Sequence, residues 1–173
     1  MARKIKLTQE HIDRIEFETA TTPDEVGALF RVHMLSENIL EQFLDSRLST
    51  DSEPAARMPD TFSKKLKASA DNGLPPCAAD VFKHINRMRN IMAHEQETET
   101  RVEDIAELHR LVDGTSAINP QFTPLNQRRS HISAERREGK DPKEFKNYDL
   151  ATPFFIFVGE LARWEQSAMT RAC

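Results

Sequence analysis

An all-α bundle of five to six helices, with a long basic loop excursion before the last helix, is the fold this sequence predicts. Three observations lead there. Five glycines, one tyrosine and few β-branched runs in 173 residues favour helix over sheet. The apolar residues recur at helical spacing. Capping and stop signals bracket the segments in which they recur. A chain of this length is the size of one domain and buries a real core, read here as residues 22–113 and 152–170.

The elements follow in order. Thr8 caps a short helix through about Glu18, with Ile12 and Ile15 on one side. Thr22-Pro23-Asp24-Glu25 is a helix start, with a capping threonine, proline at the first position and glutamate at the third. That helix runs to about Leu48. Its stripe of Val26, Leu29, Phe30, Leu40 and Leu44 is widened by Val32, Ile39 and Phe43, which suits a central helix with neighbours on two sides. After a polar loop from Ser49 to Pro59, Asp60 and Thr61 open a helix with Phe62 and Leu66 inward, and Asn72-Gly73 stops it. Pro75-Pro76 opens the next, with Val81, Ile85, Met88 and Met92 on one face. Thr100 with Glu103 reads as a capping box for a helix carrying Ile105, Leu108 and Val112 and ending at Asp113-Gly114.

Residues 118–149 differ in character. Pro120, Pro124 and Pro142 interrupt them, and Arg128, Arg129, Arg136, Arg137, Lys140, Lys143 and Lys146 outnumber the acids. The segment reads as a loop or insertion, with a short helix near Ser133 to Glu138. Arg128, Arg129, Arg136 and Arg137 are its candidate nucleic-acid contacts. Thr152-Pro153 then starts a last helix to about Ala168, whose first turns, Phe154 to Val158, are apolar almost all round and should be buried.

Bulk composition excludes several classes. A net charge of -4 does not suit a generic nucleic-acid coat. No apolar stretch follows the basic N-terminus to make a signal peptide, and the run from Phe154 to Val158 is too short for a bilayer, so a cytoplasmic protein off the membrane is expected. Cys77 and Cys173 read as free thiols. His84, His94 and His109 lack ligand spacing, and no glycine-rich phosphate loop occurs, so neither a metal nor a cofactor is expected.

The informative run is Arg89-Asn90-Ile91-Met92-Ala93-His94. Histidine exchanges protons near neutral pH, and arginine offers a fork of donors to phosphate oxygens. With Ile85 at zero and about 100° per residue, Arg89 falls at about 40°, inside the apolar stripe, whereas Asn90 and His94 fall at about 140° and 180°. On a straight helix Arg89 and His94 therefore diverge. Acting together requires the helix to end or bend near Ala93, the arginine to reach around, or a second chain. An arginine leaning into a core needs a partner. Glu37, on the apolar stripe of the Thr22–Leu48 helix with His33, is the expected one.

Arg89-Asn90-x-x-x-His94, ending an amphipathic helix after a long early helix with Glu37 and a Thr61–Leu66 segment leading into Gly73-Leu74, resembles the HEPN superfamily. The order looks most like the mannitol operon repressor family, over roughly Thr22 to Val112. The resemblance implies a HEPN-like homodimer and two alternative functions. One is a regulator or interaction module, acting through protein partners rather than sequence-specific DNA binding. The other is a metal-independent endoribonuclease of toxin or defence type. In the enzyme, His94 would deprotonate a ribose hydroxyl, Arg89 would stabilise the phosphate and Asn90 would position one of them. Glu95 beside His94 weighs against cleavage, because its charge repels a phosphate.

Overall fold

A computed structural model describes residues 9–48, 58–119, 121–128 and 140–172. Six α-helices form an all-α bundle: α1 Gln9–Thr21, α2 Glu25–Leu48, α3 Phe62–Asp71, α4 Pro76–Glu95, α5 Val102–Gly114 and α6 Tyr148–Ala172. Helices α2, α4, α5 and α6 pack in a cycle, α1 lies against α2 and α6, and α3 covers α2 and α4. The core joins Leu29, Leu40 and Phe43 of α2, Val81, Phe82 and Ile85 of α4, Leu108 and Val112 of α5, and Phe154 and Phe157 of α6. Phe82 meets Phe157 edge-on with centroids 5.1 Å apart, which fixes α4 against α6. No described helix is long and apolar enough to cross a membrane.

Several ends differ from the sequence reading. The Asp24 carbonyl, not that of Thr22, accepts the first bond of α2, from Ala28 at 3.0 Å. The Asp24 carboxylate lies over Gly27, where a Cβ would collide with it. Glu25 closes no capping box; it accepts from the amide and hydroxyl of Thr100 at 2.7 and 2.9 Å. Thr100 is thereby drawn to α2, and Arg101 stands at the start of α5 with no side-chain cap. Burial pushes the Glu25 carboxyl up, but Thr100 and Lys146 together hold it below its ordinary range. Thr61 does cap α3, accepting from the Lys64 amide, and Gly73 takes the positive φ of 92° that ends it. The caps read at Thr8 and the short helix at Ser133–Glu138 lie outside the described residues.

The largest shift is in α6. It begins at Tyr148, five residues before Pro153, which lies inside it. Asn147 provides the start: its carbonyl accepts from Ala151, its amide donates to the Ala20 carbonyl, and its side chain donates to the Thr22 carbonyl at 2.7 Å. Proline has no N–H to return to the Asp149 carbonyl. His109 of α5 fills that place, its Nε2 donating to the Asp149 carbonyl at 2.8 Å.

Candidate functional site

Helix α4 carries the Arg89–His94 run without a break and ends only at Gln96, whose φ of 56° is left-handed. The helix therefore does not end near Ala93, the first of the routes by which the two side chains could act together. Met88 and Met92 are buried, Arg89, Asn90 and Ile91 are half-buried, and His94 is exposed. Ile91 lines a crevice with Met88, Thr100 and Arg101 of its own chain.

Arg89 stands over Phe30 of α2, its guanidinium carbon 5.1 Å from the ring centroid. One terminal nitrogen donates to Asn90 Oδ1 at 3.1 Å, and the buried Nε donates to nothing. No acid pairs with Arg89 among the described residues. The expected Glu37–Arg89 pair does not form, because a different cation reaches Glu37 first. Lys65 of α3, only 6% exposed, sits between Glu37, at 2.6 Å, and Glu41 one turn on. Burial alone would lower the Lys65 ammonium, but the two carboxylates more than offset it and hold its pKa above the ordinary value. The signal was present in the sequence: Lys65 stands three residues after Phe62 and four before buried Ser69, on the inward stripe of α3.

His33 is buried one turn before Glu37. Its Nε2 donates to Asn86 Oδ1 at 3.1 Å, and its ring stacks on Phe62 with centroids 4.6 Å apart. Burial pushes its pKa down, and the nearby Arg89 adds to this against the opposing pull of Asn86 and Glu37. A neutral imidazole near neutral pH follows. The site on the α2–α4 face is thus an arginine, an uncharged histidine and two amides around two phenylalanines.

At the end of α4 the charge next to His94 is compensated. Arg101 binds Glu95 and also holds Glu97 in a fork, at 3.0 and 3.1 Å from its Nε. This weakens the repulsion of phosphate expected from Glu95. Among the basic excursion residues, Arg128 is largely buried: it packs on Phe122, donates to the Thr123 carbonyl and pairs with Glu160. It is an internal anchor, not a free nucleic-acid contact. Arg129, Arg136 and Arg137 lie outside the described residues. No group of three or more potential metal ligands occurs among the described residues. The chain matches no protein-family model, no curated protein and no solved structure.

Proposed function

We propose that this chain is a regulatory interaction module, of the kind its resemblance to the mannitol operon repressor family implies, and that it meets a protein partner through the α2–α4 face. The observation that carries this reading is Arg89 itself. It stands over Phe30, has an unused buried donor, and sits on a different side of an unbroken helix from His94. Met34, one turn after Phe30, is 63% exposed. An arginine, an aromatic ring and an exposed methionine on one face are what protein interfaces concentrate. The unpaired guanidinium suits a carboxylate or carbonyl on that partner.

A specific observation also favours the endoribonuclease. Among the described residues no acid pairs with Arg89, and Arg101 offsets Glu95, which lessens the repulsion of phosphate along the run. In that reading a second copy of the chain supplies the His94 that one chain holds apart from Arg89. RNA cleavage in EDTA separates the two readings, comparing the wild type with Arg89→Ala and His94→Ala, each checked by circular dichroism. The module predicts no cleavage, with partner capture lost in Arg89→Ala and Met34→Glu and kept in His94→Ala. Cleavage that both folded variants lose would overturn it in favour of the enzyme.

A further inference from the structure

A second polar constellation lies away from the α2–α4 face, in a cavity of about 290 Å³ between α1 and α6. Glu16 of α1 lines it. This side chain is only 2% exposed, and its Oε1 accepts no hydrogen bond. Asp13 stands one turn earlier on the same wall, and Ile12, Phe155 and Gly159 make the cavity partly apolar. Arg163, with a side chain 57% exposed, stands on the α6 wall and is turned to Glu160, as is Arg128.

We propose that this cavity is a binding site for a small primary ammonium compound, whose charged head pairs with Glu16 and whose short apolar body lies against Phe155 and Gly159. Three features argue for that class. First, a buried carboxyl oxygen without a donor is costly, and an ammonium supplies donors to it and a counter-charge once it ionises. Second, Asp13 adds to the negative potential at Glu16, while Arg128 and Arg163, which also line the cavity, are both turned to the one carboxylate of Glu160. Third, the volume is roughly ten times the share of about 30 Å³ that one water takes in the liquid, so a lone water does not fill it. Burial, with Asp13 adding to it, pushes the Glu16 carboxyl up to about 8, so the empty site holds its proton at neutral pH. Binding of an ammonium, which keeps its own protons, expels that proton from Glu16 to the buffer. The inference does not depend on the function proposed for the α2–α4 face.

The test uses n-butylammonium as the probe and n-butanol as its uncharged counterpart, followed by amide chemical shifts and by calorimetry in two buffers of different ionisation enthalpy. Saturable shifts on α1 and α6 are expected, with net release of protons on binding at pH 7. Butanol should bind at least about tenfold more weakly. Two folded variants should lose the binding by a similar factor. Glu16→Gln removes the charge. Gly159→Val narrows the cavity without touching Glu16, since a Cβ there meets nothing nearer than the Arg163 guanidinium at 3.8 Å. No saturable shift up to about 50 mM, equal binding of butanol, or equal binding to Glu16→Gln would each overturn the assignment.

Discussion

Glu160 of α6 and Glu16 of α1 are two buried carboxyl groups, and they have opposite fates. Glu160, 1% exposed, accepts from Asn119, Arg128 and Arg163. Burial raises its pKa, but these three donors outweigh burial and keep it ionised below its ordinary range. Glu16 is equally buried, has an oxygen without a donor, and is pushed up to about 8. The α2 face repeats the contrast with cations: Lys65 is gripped by two acids, whereas Arg89 has none among the described residues. Burial alone therefore does not say what a charge does. Charges that hold helices together have all their partners within the chain, and those left short of a partner are the places to look for binding.

The largest effect should come from breaking the satisfied acid. Glu160→Ala leaves Arg128 buried without its counter-charge and frees Asn119 from α6, and urea unfolding should show a loss of about 3–5 kcal/mol. If the loss is under about 1 kcal/mol, Glu160 is not the anchor described here.

The opposite acid should change stability with pH in the reverse sense from an ordinary salt-bridged carboxylate. Below pH 4.5 Glu16 is protonated folded or unfolded and adds no pH dependence. As pH rises from 4.5 to about 8, the unfolded chain ionises there and the folded chain does not, so the native state loses stability. Relative to Glu16→Gln, the wild type should thus be less stable at about pH 9 than at about pH 5, by on the order of 3 kcal/mol in urea midpoints. A parallel pH dependence in the two proteins would remove the contrast with Glu160.

The cations should give smaller differences. Lys65→Ala should cost about 1–2 kcal/mol, because both acids it joins are about one-third exposed and partly hydrated. Arg89→Met keeps the packing on Phe30 and breaks no ion pair, so its cost should stay within about 1 kcal/mol in thermal or urea unfolding. A cost for Arg89→Met as large as for Lys65→Ala would make Arg89 a structural strut after all.

The helical architecture was legible because periodicity and caps agree over long stretches: the Pro75-Pro76 start, the Val81–Met92 stripe and the Asn72-Gly73 stop all stand where they were read. The readings that failed depended on choosing among equivalent partners. Glu37 had two cations to choose from, and periodicity ranks neither; the placement of α3 decided for Lys65. Glu160 carried a usable signal, an acid inside the otherwise apolar run from Phe154 to Leu161. Glu16, one turn after Ile12 and four residues before the fully buried Ala20, carried the same signal more weakly. Arg89 and His94 were expected to diverge on a straight helix, and α4 is continuous through both. The start of α6 was misplaced because proline is read as a first-turn residue, and nothing local to it reveals that a histidine some forty positions earlier stands in for its missing amide.

That substitution makes two distant positions answer to each other. The ladder of α6 has one rung supplied by another helix, so the tolerance of position 153 for proline is set at position 109. Replacing His109 by alanine should matter where Pro153 is present and matter much less beside Pro153→Ala, which gives α6 back its own donor; a double-mutant cycle would read the difference as an interaction of about 1 kcal/mol. Losing the histidine first is the costly order, losing the proline first the cheap one. Through one carbonyl, the bundle has a built-in direction in which its sequence can change.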